Sequence, residues 1–172
     1  MIYELVVSQF AKMLGNLQVI LDEAAKHASE KQFDFGVLLQ SRLAPDQFNL
    51  IRQLQIACDT AKLGAARLAN AEKDAPAHSD TEQTLSEIKS RIDSVIAYLR
   101  RFSPEDFAAA AQRRISQPRW KEKTLSGQEF LIQHVIPNFY FHVATAYAIL
   151  RHNGIGLGKR HYLGDMPFRD PA

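Results

Sequence analysis

Residues 127–153 have the sequence GQEFLIQHVIPNFYFHVATAYAILRHN, and this stretch decides the fold of the 172-residue chain. Ser126 and Glu129 form the pattern of a capping box at its start, and Asn153-Gly154 is a typical helix end. These signals and the apolar residues between them predict a long helix. Pro137 lies inside the pattern and predicts a local bend, because proline removes one backbone hydrogen bond and clashes with the preceding turn.

Three further segments have apolar residues at the three-and-four spacing of amphipathic helices. They cover residues 2–28, 46–70 and 79–101. Ser79-Asp80-Thr81-Glu82 fits a capping box at the start of the third segment. Together with the last helix they give four helices of matched length, about 35–40 Å each at 1.5 Å per residue. The sequence therefore predicts an all-α fold, a four-helix bundle.

The links between the helices are irregular, and the first and third are long for simple up-down hairpins. Ser103-Pro104 predicts one short helical turn, since proline is favoured at the first helical position. Residues 115–125 alternate in character around Pro118 and predict an extended or hairpin-like excursion before the last helix. Residues 154–172 are interrupted by Gly and Pro and are interpreted as a tail, so that residues 1–172 form a single domain.

The composition excludes several classes of protein. Hydrophobic residues make up 46% of the chain and charged residues 23%, which is enough apolar area for a core. The net charge of +2 gives no global signal for nucleic acid or a membrane surface. The single Cys58 excludes an intramolecular disulfide and a cysteine zinc cluster. Because no apolar run approaches ~18 residues and no signal peptide is recognised, we expect a cytoplasmic protein without a membrane span.

Polar side chains on one face of the last helix form the first part of a candidate site. His134, Asn138 and His142 share this face because side chains four positions apart on a helix are neighbours. His134 and His142 are about 12 Å apart along the axis, so they do not easily bind one ion together. The alternatives are hydrogen-bonded core histidines, and an Asn138 that satisfies the backbone carbonyl left free by Pro137.

The second predicted helix supplies a carboxylate. Asp59 lies among small residues, and if it is buried it needs a partner. Lys62 and Arg52 are candidates on the same helix, and His142 is a candidate across the bundle. The alternative is a solvated carboxylate or a structural ion pair. Two amide side chains of this helix can also enter the bundle as hydrogen-bonding groups, Gln53 and Gln55.

The interval 100–123 is basic. It has seven Lys and Arg against three acidic residues, a net charge of +4, and it includes the aromatic Trp120. Basic patches with aromatic residues are one feature of phosphate and nucleic-acid binding. No known nucleic-acid motif accompanies the charge, so we interpret the interval as a solvated linker and expect no nucleic-acid partner.

Several stretches of the chain resemble a small bacterial family that is a domain of unknown function. They are Arg42–Asp46, Gln55–Lys62, Pro137–His142, Ala146–Gly154 and Leu157–Arg160. This family is similar to a branch of the DinB/YfiT-like superfamily of four-helix metalloenzymes, and the likeness covers nearly the whole chain. The resemblance implies a bundle, a homodimer, and an internal site where three histidines bind a divalent metal such as nickel or zinc.

Two of the three histidines that the resemblance implies are replaced here. His142 matches the second histidine of a His-x-x-x-His pair, but Asn138 stands at the first, and no histidine lies near 55–59 on the second helix. We therefore predict a metal-free bundle that acts as a small-molecule-binding or dimeric interaction module. Its polar pocket is expected to contain Asp59, Gln55, His134, Asn138 and His142.

The alternative is a divalent-metal-dependent enzyme of the thiol transferase or hydrolase type. In that case His142, Asn138 and Asp59 would hold nickel or zinc, which would activate water or a thiol by lowering its pKa. No Ser/His/Asp pattern, paired-carboxylate motif or dinucleotide fingerprint assigns a catalytic residue.

Overall fold

Seven α-helices lie in residues 1–170, the part of the chain that this computed structural model describes. They are α1 (Gln9–Glu30), α2 (Gly36–Gln40), α3 (Leu50–Ala69), α4 (Leu85–Leu99), α5 (Gly127–Phe130), α6 (Ile136–His152) and α7 (Lys159–Leu163). The π-helical turn Glu4–Ser8 precedes α1, and a second π-helical turn, Leu131–Val135, joins α5 to α6. The predicted all-α fold class is confirmed.

The long helices α1, α3, α4 and α6 form a four-membered bundle. α3 packs against α4 and α6, and α1 packs against the same two helices, so that α1 and α3 lie diagonally opposite each other. The long first and third links join the diagonal pairs, α1 to α3 and α4 to α6. Residues 70–84 join the neighbours α3 and α4, and this link is shorter because it crosses no diagonal.

Apolar side chains from all four long helices meet in one core. Phe10 of α1 stacks on Phe139 of α6 with ring centroids 4.0 Å apart. Ala57, Ala61 and Ala65 are fully buried on α3, and their small side chains let the neighbouring helices approach closely. Among the described residues, no helix combines the length and the apolar character that crossing a bilayer requires.

Helix α3 is shorter than the predicted segment 46–70. It begins at Leu50 because the side chain of Asn49 accepts a hydrogen bond from the backbone N–H of Arg52, as an N-cap does. It ends where Asn70 takes a left-handed conformation with φ 59°.

Helix α4 also begins later than the predicted segment 79–101. Thr84 and Glu87 form its capping box, and the box predicted five residues earlier does not form. The carboxylate of Glu82 was expected to cap the helix, but it lies 3.0 Å from the guanidinium of Arg91. A buried cation competes for this carboxylate more strongly than free backbone N–H groups do.

The predicted last helix, residues 127–153, contains a change of helical type. Its capping box forms between Ser126 and Glu129 as expected. The π-helical turn Leu131–Val135 lies just before Pro137, which has no backbone N–H to donate. π-helical turns change the pattern of backbone hydrogen bonds where a regular helix is interrupted in this way. The helix ends before Gly154, whose φ of +90° is a conformation that glycine adopts readily.

The excursion before the last helix is a small hairpin. Strand β1 (Arg114–Ile115) pairs antiparallel with strand β2 (Leu125–Ser126). A 3₁₀ turn, Pro118–Trp120, lies in the loop between them, and another, Pro104–Phe107, follows the predicted Ser-Pro cap. The hairpin-like excursion predicted over residues 115–125 is therefore present.

The predicted tail 154–172 contains an additional helix, α7. This helix packs on α1, and the side chain of Asn16 on α1 donates a hydrogen bond of 2.9 Å to the backbone carbonyl of Tyr162. The sequence interpretation did not include α7, because five residues are too few to show a periodic pattern. Residues 171 and 172 of this tail lie outside the described residues.

Candidate functional site

A cleft of about 500 Å³ lies between α3, the α5–α6 stretch and the hairpin. Its apolar lining comes from both walls, with Ile56 and Leu63 from α3 and Phe130 and Val135 from the α5–α6 stretch. Three residues of the predicted pocket line this cleft, Asp59, His134 and Asn138. The other two, Gln55 and His142, make contacts elsewhere in the bundle.

A hydrogen bond joins α6 to α3 across the cleft. The amide nitrogen of Asn138 donates to the hydroxyl oxygen of Thr60 at 2.7 Å. The sequence interpretation offered Asn138 as a partner for the carbonyl freed by Pro137, and the bond to Thr60 replaces that contact. Thr60 accepts in this bond and keeps its own O–H, while Asn138 keeps its carbonyl oxygen, so the pair offers both a donor and an acceptor to the cleft.

His134 lies at the hairpin end of the cleft and contacts an arginine of the hairpin. Its Nε2 is 3.2 Å from Nη2 of Arg119. A guanidinium only donates hydrogen bonds, so Nε2 is the acceptor and the imidazole is neutral. Burial lowers the pKa of His134, and the nearby positive charges of Arg119 and Arg67 lower it further.

An orphaned amide lies at the same end of the cleft. The side chain of Gln117, in the hairpin, is buried, with 9% of the residue exposed. Its Nε2 has no hydrogen-bond partner among the described residues. Buried donors without partners are rare in native proteins, so this amide, whose residue lines the cleft, needs a partner such as a ligand or a bound water molecule.

Asp59 belongs to a partly buried ion cluster between α3 and α4. Its carboxylate lies 2.7 Å from Nη2 of Arg91 and 3.0 Å from Nζ of Lys62. Lys62 was one of the predicted partners. The other two predicted partners, Arg52 and His142, do not contact Asp59. Arg52 pairs with Asp80, and His142 contacts Gln53.

Arg91 is the centre of this cluster. Its side chain is 1% exposed and also binds Asp80 at 2.6 Å and Glu82 at 3.0 Å. Burial opposes the charge of Arg91, but the hydrogen bond with Asp80 and the charge of Asp59 outweigh it and raise the pKa of Arg91. Gln55 completes the cluster by donating to Glu82 at 2.9 Å, which explains why Gln55 is absent from the cleft.

His142 is buried on α6 and pairs with Gln53 of α3. Its Nδ1 lies 2.6 Å from Oε1 of Gln53. The Gln53 amide is oriented by its Nε2, which donates to the backbone carbonyl of Phe48 at 3.1 Å. Because a carbonyl only accepts, Oε1 must face the histidine, and Nδ1 carries the proton. Burial, with the charge of Arg52, lowers the pKa of His142 to about 4.

We expect His142 to make the stability of the protein depend on pH. Its pKa is below the ordinary value of 6.5, so the unfolded chain takes up a proton before the folded chain does. The contribution of the neutral His142 to stability is fully present above pH 6.5 and is lost as the pH falls from 6.5 to 4. The free energy of unfolding should decrease by about 2 kcal/mol over this range.

Chemical denaturation from pH 4 to pH 8 measures this effect. His142→Gln is the matched variant, because glutamine can still donate to Gln53 but does not titrate. The difference in unfolding free energy between wild type and variant should grow by about 2 kcal/mol from pH 4 to pH 6.5. A difference that stays constant over this range would contradict the assignment of His142 as a buried neutral imidazole.

The donor set predicted for a metal does not fit nickel or zinc. The carboxylate of Asp59 is held by two cations, and a third positive charge beside them would be repelled. Asn138 and His142 bind Thr60 and Gln53 and do not bind each other. Within residues 1–170, no group of three or more His, Cys, Asp and Glu side chains comes together as a metal site.

Two residues of these sites were not singled out from the sequence. Arg91 falls within the apolar stripe of α4, next to Ile92, and a charge at such a position signals a buried ion pair. Arg119 was assigned to a solvated linker, although the adjacent Trp120 is a large apolar side chain that needs a surface to pack on. Trp120 packs on Phe130 with ring centroids 6.0 Å apart.

Comparison with known proteins shows the family of the chain and a close structural relative. Residues 2–163 match the family model described as "Domain of unknown function (DUF1993)". The chain is similar to a DinB family member protein from Shewanella denitrificans, known from a crystal structure at 1.83 Å resolution. The two are 59% identical with a TM-score of 0.97, over 99% of this chain and 96% of that chain. The search of curated proteins gave no match.

Proposed function

This chain belongs to the family described as "Domain of unknown function (DUF1993)" and has a DinB-like fold, and we propose that it binds a small molecule. The ligand would occupy the cleft between α3, the α5–α6 stretch and the hairpin. The observation that carries the proposal is the orphaned amide of Gln117 in a cleft of about 500 Å³, a volume within the range of ligand pockets.

The lining of the cleft supports this proposal. Small-molecule sites combine a mainly apolar surface with a few polar groups that fix the orientation of the ligand. Here the partly exposed apolar side chains of Ile56 and Leu63 line the cleft together with the hydrogen-bonded pair Thr60 and Asn138. This pair is fixed by a bond between two long helices, so a ligand would meet a donor and an acceptor that are already in place.

The alternative, a metal-dependent enzyme, is not favoured by the geometry. His142 is hydrogen-bonded to Gln53, and Asp59 is neutralised by Arg91 and Lys62. Neither group is free to bind a cation or to act as a general base in the cleft. We therefore propose a binding module and assign no catalytic residue.

Thr60→Phe tests the proposal, because a phenylalanine at this position fills part of the cleft. A library of neutral, anionic and cationic compounds is screened by thermal shift and the binding compounds are titrated by calorimetry. We expect at least one compound to bind the wild type and to lose tenfold or more of its affinity for Thr60→Phe, because the ring occupies the same volume.

Val19→Phe is the matched control, since Val19 is an exposed residue on α1 that lies outside the cleft. It also introduces a phenylalanine without a change of charge. Compounds that bind both variants as they bind the wild type do not occupy the cleft. If every compound in the library behaved in this way, the proposed function would be refuted.

We also propose that the protein is a homodimer in the cytoplasm. The resemblance to the four-helix family implies the dimer, and Phe48 and Phe141 are aromatic side chains that are more than half exposed. The free, fully buried Cys58 is consistent with a reducing compartment. The mass in solution, measured by light scattering, tests the dimer against the 19.4 kDa of one chain.

A further inference from the structure

The cleft has an excess of positive charge at the end where His134 lies. Arg119 forms no ion pair with any carboxylate of residues 1–170, and its one side-chain partner is the neutral His134. Arg67 also lines the cleft near His134 and, among the described residues, forms an ion pair only with Glu72, which is half exposed to solvent. Of the two guanidinium groups, only that of Arg67 has a carboxylate partner in this part of the chain, and this carboxylate is screened by solvent.

The single carboxylate that lines the cleft does not balance this charge. Asp59 is part of the ion cluster between α3 and α4, where three carboxylates face three cations. Within that cluster the charges sum to zero, so Asp59 has no net attraction left for Arg119 or Arg67. Burial is the main cause of the lowered pKa of His134, and both arginines lower it further because they disfavour a third positive charge beside them.

The polar groups at this end mostly donate hydrogen bonds. Arg119 and Arg67 carry only donors, and the orphaned atom of Gln117 is an amide nitrogen, also a donor. An oxyanion accepts several such bonds at once, and bonds between a guanidinium and a carboxylate or phosphate are charge-assisted and strong. A cationic ligand would be repelled by the two guanidinium groups, and a neutral one would accept hydrogen bonds from these donors without the gain that an opposite charge gives.

We infer that the ligand is a small organic anion, a carboxylate or a phosphate monoester with an apolar body, whose anionic group binds Arg119, Arg67 and Gln117. The apolar body would lie on Ile56 and Leu63, the partly exposed apolar side chains in the remainder of the cleft. This inference rests on the proposed function and adds the chemical class of the ligand.

The hairpin holds the anion-binding group in place before a ligand arrives. Trp120, next to Arg119, packs edge-on against Phe130 and His134, with ring centroids 6.0 and 5.6 Å apart. These contacts fix the 3₁₀ turn on the α5–α6 stretch. Less conformational freedom is then lost when the ligand binds, which favours affinity for a small anion.

Four compounds of nearly the same shape test the inference by calorimetric titration. Benzoate and phenyl phosphate are the two anionic probes, benzamide is the neutral probe, and benzamidine is the cationic probe. We expect one or both anions to bind, with at least tenfold lower affinity for benzamide and no binding of benzamidine. The ratio of the benzoate and phenyl phosphate affinities shows which oxyanion the site prefers.

Arg119→Gln is the decisive variant, because Arg119 is exposed and its replacement leaves the core intact. Loss of one charge-assisted hydrogen-bonding group should weaken the anions roughly ten- to a hundredfold and leave benzamide unchanged. Arg67→Gln is a second variant from α3 that should weaken the same probes. Lys123→Gln removes the same charge from the exposed loop of the hairpin and should have little effect.

The outcomes separate the two proposals. Anion binding that depends on Arg119 and Arg67 but not on Lys123 supports the inference. Preferential binding of benzamide or benzamidine, or equal anion binding by Arg119→Gln, overturns it and leaves the proposed function standing. Failure of all four probes to bind also overturns it, and the proposed function then depends on the wider screen with Thr60→Phe.

Discussion

Replacing Arg91 with methionine is expected to lower the free energy of unfolding by about 3–5 kcal/mol. Methionine fills most of the same volume, so the expected loss comes from the charge and not from a cavity. Arg91 is buried and binds the carboxylates of Asp59, Asp80 and Glu82. Without it, three partly buried negative charges are left with only Lys62 and Arg52 beside them.

The loss of stability in Arg91→Met should be largest in the link between α3 and α4. Asp80 and Glu82 lie in residues 70–84, and their ion pairs with Arg91 hold this link against the two helices. In the variant we expect protease cleavage or amide exchange in this link to increase first, before the global unfolding transition. Urea denaturation gives the loss of stability, and hydrogen exchange gives its location.

Lys89→Met is the matched control on the same helix. Lys89 pairs with Asp22 of α1, but the carboxylate of Asp22 is more than half exposed to solvent. An exposed pair of this kind contributes less than about 1 kcal/mol. If Arg91→Met cost no more than Lys89→Met, the ion cluster around Arg91 would not be a major source of stability for the α3–α4 pair.

The pH dependence distinguishes the loss of ion pairs from a simple packing defect. Burial would raise the pKa of Asp80, but hydrogen bonds from Arg52 and Arg91 outweigh it and hold the pKa below 3.8. The pKa of Glu82 is likewise held below 4.5. The stability that these groups contribute is present above pH 5 and is lost as the pH falls through their folded values. The difference between wild type and Arg91→Met should therefore shrink below pH 4.

The fold could be predicted from the sequence because its signals are local. The capping box at Ser126 and Glu129 and the helix end at Gly154 depend on residues within one turn of each other. The start of α4 could not be predicted in the same way. Ser79 and Glu82 have the correct spacing for a cap, but Arg91 draws the Glu82 carboxylate away, and a contact of that kind depends on the packing of two elements.

The candidate site was predicted only in part for the same reason. The four-residue spacing places His134 and Asn138 on one face of a helix, and both line the cleft. The spacing does not show which residues of other elements contact these two side chains. Thr60 binds Asn138, and Arg119 binds His134, through contacts between residues 78 and 15 positions apart in the chain. The basic hairpin was interpreted as a linker because its charge pattern does not show that Trp120 packs it against Phe130.

Gly127→Ala is expected to lower the free energy of unfolding by about 3 kcal/mol or more. Gly127 is buried at the junction of β2 and α5, and an added Cβ would lie 1.7 Å from the backbone carbonyl oxygen of Ala110. A clash with a backbone atom is not relieved by rotating a side chain. The 3₁₀ turn Ala110–Gln112 and the hairpin must therefore move away from the start of the last helix.

This displacement should reach the cleft as well. Gln117 and Arg119 belong to the hairpin. We therefore expect Gly127→Ala to weaken the binding of an anionic probe such as benzoate as well as to destabilise the protein. Gly15→Ala is the matched control, since an added Cβ in the middle of α1 meets no atom within 4 Å. It should raise stability by about 0.5–1 kcal/mol, because alanine favours helix over glycine. Equal stability of Gly127→Ala and wild type would mean that the hairpin packs less closely on α5 than the 1.7 Å approach requires, and the position argued for Arg119 would then be wrong.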